Sequence, residues 1–507
     1  LNPAIPQKLR IPSAGWWLLP IVAVRAAGFV FGAVNLDECD FLVTGRMLID
    51  GAVPYVGFVE KKPPLAYLFY APAAWSDLRM WPMQLLAIGW VFATCFVVAR
   101  VAREWTGRED GGLVAGWLAC LAQVACMPAV NLETLLNLPA AAALLLYLRA
   151  VRSGRLAHAL GAGLCLGIAT LFKHQAGILL VALTAALALA RPRRATGIAA
   201  LLIGGFAVPW AATAAVFAGL GHLDAFFEWN VARNFYYGAH TAGGAVARCL
   251  GGLAIGIALA APLHWALAVK ESAHAIRSRA RDAMQVALVL ALWLTFLPVS
   301  LGGRFYDHYF IQFAPIVSLL ATPAALRLLD GWPALSTTRR RLVLGAAALP
   351  IVVWLGVVWG SGVVGRFPLQ DRGSRELARW LDANTSPQDR LFVWGHFTPI
   401  YVLARRLPGT RYYNTSVHIG DFDPGELPDG FDLSPYVSQR DVEQTLRDLE
   451  MNRPVYFVDT APADIHEWHR VPLALVPPLK RYVDEHYALV ARPAGALVYR
   501  RREGEKL

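Results

Sequence analysis

The sequence predicts an α-helical polytopic membrane protein of about eleven transmembrane helices with a C-terminal soluble α/β domain. Three observations carry that reading. The 507 residues are 56% hydrophobic and only 16% charged, with a mean hydropathy of +0.43, far more apolar than a soluble protein of this length needs. Stretches of about twenty apolar residues, enough to cross a bilayer, recur from Trp16 to Gly362. From residue 363 the composition turns abruptly to charged, aromatic and proline residues. The same figures exclude a purely soluble enzyme and a disordered chain, and the lack of a three-residue glycine period excludes a collagen-like one.

The apolar segments centre in 16–34, 82–102, 111–128, 134–150, 157–172, 175–190, 197–218, 246–269, 284–301, 310–328 and 342–362. Only Lys173 and His174 separate the fifth from the sixth. Arginine and lysine concentrate in alternate connections, among them Arg100 to Arg108, Arg149 to Arg155, Arg191 to Arg194, Lys270 to Arg281 and Arg327 to Arg341. By the positive-inside rule these are cytoplasmic. The opposite set is external: 35–81, 129–133, the Lys173–His174 turn, 219–245, 302–309 and, with an odd span count, the tail. A cleaved signal peptide, preceded by Lys8 and Arg10, is an alternative for the first segment, and residue 35 emerges on the same side either way. Two domains are expected, a transmembrane one over 1–362 with its first external loop at 35–81, and a soluble one over 363–507.

The formal charge of +11 does not imply nucleic acid, because the basic residues sit between apolar segments rather than on one folded face. The six cysteines (Cys39, Cys95, Cys120, Cys126, Cys165 and Cys249) form no CxxC pair and read as buried thiols. None follows Cys249, so the tail folds without disulfides. In the tail, RELARWLDANTSPQDR, PIYVLARR and DVEQTLRDLE read as helices, and LFVWG and PVYFVDT as short strands of a small α/β layer fold. No GxGxxG or GxxxxGKS phosphate loop occurs, and the Gly163-to-Gly167 spacing argues for little more than helix packing.

The external polar residues fall in a few short places. NLDECDF sets Asp37, Glu38 and Asp40 within about a turn of the first helix end. They read as a solvated membrane-edge cluster, a general base, or hard oxygen ligands for a cation. GAVPYVGFVEKKPPLAYLFY places Lys62 before Pro63 and Pro64, which suit the first turn of a helix. Lys62 at that positive end is either a phosphate partner or a lysine snorkelling to the lipid interface. Three more external turns carry ionisable residues: VNLETLLN with Asn131 and Glu133, TLFKHQAG with Lys173, His174 and Gln175, and GGRFYDHYFIQ with Arg304, Tyr306, Asp307, His308, Tyr309 and Gln312. Ionisable groups at membrane helix ends are functional candidates, and their shared face suggests one polar cavity.

These residues carry a resemblance. Asp37–Glu38 after the first membrane helix, a GxxPY segment (Gly51, Pro54, Tyr55), KPPLAY (Lys62 to Tyr67), NLETLLNLP, GIATLFKHQAG and GRFYDHYFIQFAP together resemble the GT-C-fold glycosyltransferases that use polyprenyl-phosphate sugars. The protein O-mannosyltransferase family and the bacterial lipid A aminoarabinose transferase are the groups it looks most like. The likeness covers most of 35–320, with a fainter one in FVWGHFTPIYVLARRLPGTRYYN. One departure concerns the residue before the KPP lysine, often acidic or histidine in relatives and here Lys61, with Glu60 one position earlier; which of the three faces the site stays open.

The resemblance implies an inverting hexosyl- or pentosyltransferase that moves one sugar from a polyprenyl-phosphate carrier to a lipid, glycan or protein hydroxyl. It places the chain, multi-pass, in a bacterial inner membrane, with the active site and tail on the periplasmic side. Asp37 is the expected base, with Glu38 or Asp40 orienting it or the sugar. Lys62, Arg304 and His308 are the expected donor-phosphate partners, with Lys173 beside them. Tyr55, Glu60, Glu133 and Tyr309 join Asp40 as expected substrate contacts. No cofactor is required on this reading, and a divalent cation is left open. The alanine- and arginine-rich usage points to a high-GC bacterium and thus an undecaprenyl or decaprenyl carrier. A secondary transporter, or an oligosaccharide transferase or polymer ligase of related fold, are the alternatives.

Overall fold

The computed structural model describes residues 11–33, 35–124, 129–236, 245–364, 372–428 and 430–502. Its contacts divide the chain into two compact units, one of Leu1–Val30, Gln84–Leu223 and Gly244–Gly360, the other of Phe31–Met83, Asp224–Gly243 and Ser361–Leu507. The first external segment thus belongs to the same compact unit as the C-terminal tail.

The eleven apolar segments are mostly helical over their described residues, with breaks at 32–33, 260–261 and Thr295, Cys126 and the end of the third lying outside those residues. Among the described residues seven helices are long and apolar enough to cross a membrane: Ala14–Phe31, Trp81–Thr106, Leu132–Ser153, Ala195–Gly219, Ala283–Ser300, Asp307–Asp330 and Thr337–Val363. Leu156–Phe172 and His174–Ala190 are apolar but shorter, since Lys173 takes an extended conformation between them. The eighth segment, expected as one span, is instead Val246–Leu259 and Pro262–Arg277 with a 97° bend. Pro262 opens the second of these, where its missing N–H costs least.

Packing in the first unit rests on small residues. A Cβ at Gly163 would stand 2.2 Å from the Leu202 carbonyl oxygen, and one at Gly205 would stand 2.3 Å from that of Leu160. Helices 156–172 and 195–219 therefore touch backbone to backbone, the approach that Gly163 and Gly167 permit. Arg25, which interrupts the first apolar helix, is buried and donates to Gln84 Oε1 at 3.3 Å.

In the second unit the tail forms the expected α/β layer fold around a five-stranded mixed sheet. Its strands are β1 (Arg390–Trp394), β2 (Leu407–Pro408), β3 (Tyr456–Asp459), β4 (Tyr487–Ala491) and β5 (Leu497–Arg501), in the order β2-β1-β3-β5-β4. Strand β1 runs parallel to β2 and β3, with Phe392 opposite Phe457, and β5 runs antiparallel to β3 and β4. The central strands β1 and β3 are buried almost throughout, which is why LFVW and YFVD read as unbroken apolar runs. Strands β2 and β4 are at the edges, and β5, though interior, carries two arginines, so none of the three stands out in sequence. Helix Gln439–Asn452 starts at Ser438, whose side chain accepts from the Asp441 N–H, and its apolar face reaches the core with Val442 and Leu449. Trp394, Phe457 and Trp468 fill the same core.

His418 is buried in this tail, its Nδ1 donating to the Thr415 carbonyl at 3.1 Å and its Nε2 accepting from the Thr445 hydroxyl at 2.6 Å. Burial pulls its pKa down to about 4. The folded state therefore resists a proton that the unfolded chain takes up near 6.5, and His418 costs stability progressively as pH falls from about 6.5 to 4. Asp459, pushed up to about 6 by burial, has the opposite slope. The comparison must therefore be differential: the stability advantage of the intact protein over His418→Gln, followed by tryptophan fluorescence, should shrink as pH drops through that window. A difference that is flat with pH would contradict this assignment.

Candidate active site

Two polar centres emerge, one in each unit. In the second unit the helix Leu36–Ile49 begins at Asn35, whose side chain accepts from the Glu38 N–H at 3.0 Å. Asp37 and Glu38 occupy its first turn, where the helix dipole favours negative charge. Asp37 is half-buried, whereas Glu38 and Asp40 are buried. Asp40 Oδ1 finds no hydrogen-bond partner among the described residues. Burial, and next the neighbouring Glu60 charge, push the Asp40 carboxyl well up, with Thr398 and Lys62 acting the other way.

The segment that follows is held by tyrosines. Tyr55, at a positive φ of 69°, and Tyr67 both direct their hydroxyls to the Lys62 carbonyl, at 2.8 and 2.7 Å. Pro63 and Pro64 precede the short helix Leu65–Tyr70, so the backbone after Lys62 has two positions without N–H donors, and the tyrosines set its course instead. Tyr55, expected at the substrate, thus also holds the Lys62 carbonyl. Glu60 Oε1 accepts from the Lys61 N–H at 2.7 Å, while Oε2 accepts from Tyr413 at 2.5 Å. Lys61 is buried against Asp421, Nζ to Oδ2 2.9 Å, and Asn234 donates to its carbonyl at 3.0 Å. Lys62 Nζ lies 3.7 Å from Glu60 Oε1 and its side chain is 26% exposed, so of the adjacent lysines it is Lys62 that retains access to solvent and solute.

In the first unit the three turns converge. Glu133, in the first turn of helix Leu132–Ser153, is buried and ion-paired to Lys173. Lys173 Nζ also sits 4.2 Å from the centre of the Tyr309 ring. His308 Nε2 lies 4.0 Å from Glu133 Oε1, and its ring stacks on Tyr306 at 5.5 Å. Arg304 is buried and its Nη1 donates to the Tyr306 hydroxyl at 3.2 Å. Gln312 donates to Gln175 Oε1 at 3.3 Å, which joins the second and third turns. Glu133, Lys173, Arg304, His308 and Tyr309 thus form one network.

Sequence reading missed the partners supplied by the tail. Tyr413 and Asp421 hold Glu60 and Lys61, and Asp441 accepts from Arg233 at 3.3 Å. For Tyr413 the one signal was the faint resemblance around PGTRYYN; Asp421 and Asp441 had none, since no spacing rule links residues 200 or more positions apart. Tyr67 was quoted in KPPLAY, and its pairing with Tyr55 on one carbonyl is a tertiary fact.

A buried carboxyl whose pKa is raised weakens the fold once it ionises. At acid pH, where Asp40 is protonated both folded and unfolded, nothing is lost; as pH rises through its folded pKa, stability falls. Asp40→Asn should therefore raise the thermal midpoint of the detergent-purified protein by a few degrees at pH 8 and by little near pH 4. A midpoint lowered at pH 8 would show that the ionised carboxylate has partners that stabilise it.

Against known proteins, residues 61–217 match the family model described as dolichyl-phosphate-mannose-protein mannosyltransferase. No curated protein sequence matches the chain. The structure is similar to ArnT from Cupriavidus metallidurans bound to undecaprenyl phosphate, with a TM-score of 0.58 and 16% identity over 96% of this chain and 98% of that one. It is also similar to the archaeal oligosaccharyltransferase AglB from Archaeoglobus fulgidus in complex with an inhibitory peptide and a dolichol-phosphate, with a TM-score of 0.51 and 11% identity over 96% of this chain and 74% of that one. The chain is a polytopic membrane protein of the GT-C fold, and it resembles the glycosyltransferases built on that fold.

Proposed function

We propose that the protein is an integral-membrane inverting glycosyltransferase that moves a single sugar from a polyprenyl-phosphate carrier to an acceptor hydroxyl on the periplasmic face of a bacterial inner membrane. The observation that carries the reading is the electrostatic meeting, within one compact unit, of the carboxylates Asp37 and Asp40 with Glu60 and Lys62. The family match over 61–217 and the fold shared with a protein bound to undecaprenyl phosphate support the donor class.

A sugar on a phosphate already has a leaving group, so the protein must supply a base and cations. The acceptor oxygen forms a bond to the anomeric carbon, the bond from that carbon to the phosphate oxygen breaks with its electron pair, and the acceptor proton passes to Asp37. Asp37 suits this task because it is half-buried at a helix start, reachable yet partly screened from water. An ordinary carboxylate, with a pKa near about 4, is a weak base for an alcohol, so the proton moves late, as the new bond nears completion. Glu38 and Asp40 orient the base or the sugar. Lys62, Arg304 and His308 offset the charge gained by the departing phosphate, and Lys173, ion-paired to Glu133, lends the weakest help. Glu60, Glu133 and Tyr309 complete the polar contacts of donor or acceptor.

Asp37→Asn keeps the shape and removes the basicity, so transfer from a purified polyprenyl-phosphate sugar should be abolished while donor binding persists. Turnover equal to the unaltered protein would move the role to another carboxylate. Lys62→Ala should lower donor use by more than about tenfold, through loss of one charge-assisted contact of roughly 1.5–3 kcal/mol, and Lys61→Ala should act through stability, because Lys61 is held by Asp421. Equal kinetic losses from both, with folding intact, would refute the distinction. Sugar-independent flux in proteoliposomes would favour a transporter instead, and transfer of an oligosaccharide from its lipid carrier would favour the broader transferase. The side is tested by Glu443→Cys in a cysteine-free background, since Glu443 is exposed on helix 439–452. A membrane-impermeant maleimide should label it in intact spheroplasts, and protection there would overturn the periplasmic placement.

A further inference from the structure

One cluster in the tail takes no part in the proposed chemistry. His396, Asp423 and His466 each offer a ligand atom, and these atoms lie within 4.8 Å of one another. They come from three separate stretches: the residues just after β1, the turn that follows Asp421, and the loop between β3 and helix Pro477–His486. His466 Nε2 is shielded from solvent and stands 4.0 Å from Asp423 Oδ1, close enough to share an ion and too far for a hydrogen bond. The His396 and His466 rings meet edge to face at 5.4 Å.

The backbone that presents His466 is strained. Asp464, His466 and Glu467 have φ of 51°, 57° and 57°, left-handed values that an L residue with a side chain adopts only at a cost. None of the three is glycine, so the conformation is held by what the loop must do. The turn bearing Asp423 is built as firmly, because the other use of Asp423 Oδ1 is to accept the Gly425 N–H at 3.1 Å. All three residues are half-buried, which leaves room for a further ligand from solvent.

We propose that His396, Asp423 and His466 form a zinc site. Two imidazoles and one carboxylate make a donor set of borderline softness suited to zinc rather than to magnesium or calcium, which prefer oxygen ligands alone. Donors around a tetrahedral zinc stand about 3.4 Å apart, so small side-chain rotations close the present separations, and a water completes the fourth position. The ion would tie the β1 end, the Asp421–Asp423 turn and the 464–467 loop into one rigid corner. That turn also supplies Asp421 to Lys61, so occupancy stiffens the KPP segment across the two peptide links from Asp423 to Asp421. The site stands on its own residues and does not depend on the transferase reading.

The full-length protein, purified in detergent and stripped with a chelator, is titrated with zinc chloride and its metal content measured by mass spectrometry after dialysis. One zinc per chain is expected, with a dissociation constant of micromolar or below. His466→Ala and Asp423→Asn should each weaken it at least tenfold, and Asp423→Asn keeps shape and volume should the alanine variant fail to fold. Cobalt gives a second readout, a visible d–d absorption in the unaltered protein that both variants lose. No zinc retained by the unaltered protein, or zinc and cobalt bound equally by the folded variants, would overturn the site.

Discussion

Adjacent opposite charges at Glu60 and Lys61 sit in a largely buried segment, and this constraint organises the second unit. Neither charge can leave water without a dedicated partner, because an unpaired buried ion costs several kcal/mol. The tail provides one for each, the Tyr413 phenol for Glu60 and the Asp421 carboxylate for Lys61. Burial and the Glu60 charge hold the Tyr413 phenol well above its usual pKa, so it remains a donor. Lys61 in turn holds the Asp421 carboxyl below its ordinary range. The consequence reaches Lys62: with its neighbour held by Asp421, and its own carbonyl gripped by Tyr55 and Tyr67, its ammonium stands 3.7 Å from Glu60 Oε1 and stays partly exposed.

The same logic governs the first unit in a drier setting. Glu133 is 1% exposed and depends on Lys173 for compensation, and Lys173 gains a second favourable surface on the Tyr309 ring. Such a pair adds little net stability over apolar residues of similar size, but loss of either member leaves a bare charge. The network therefore locks the ends of helices 132–153 and 156–172 to the turn before 314–330, and fixes where Arg304 and His308 stand.

What could be read from sequence follows the range of the interactions concerned. Helical membrane segments announce themselves by local hydropathy, so the apolar helices were legible, but among the described residues only seven are long and apolar enough to cross a membrane, and the 97° bend at Pro262 depends on how two helix halves pack. The helix start at Asn35, the prolines ahead of Leu65 and the close approach at Gly163 follow from local rules as well. Strand β5 escaped notice because AGALVYRR mixes small and charged residues, and only pairing with β3 buries Val498; β4 is a short edge strand whose YALVA is exposed over most of its length. The grip of Tyr413 on Glu60 and the gathering of His396, Asp423 and His466 arise from folding alone, since neither has a characteristic spacing.

Magnitudes also decide between the readings of the carboxylates after the first membrane helix. A solvated cluster would cost the fold almost nothing and need no partners. Glu38 and Asp40 are instead buried, and Asp40 Oδ1 has no hydrogen-bond partner among the described residues. A helix dipole returns about 0.3–1 kcal/mol to a nearby carboxylate, less than the several kcal/mol that burying one forfeits. Stability alone therefore does not account for Asp40, and a substituted asparagine or leucine would pack there more comfortably. The carboxyl is kept in electrostatic reach of Asp37, Glu60 and Lys62. Burial, the Glu60 charge and more weakly that of Asp37 favour its neutral form while Thr398 and Lys62 oppose them, so the charge on Asp40 is set by its neighbours as much as by its own burial.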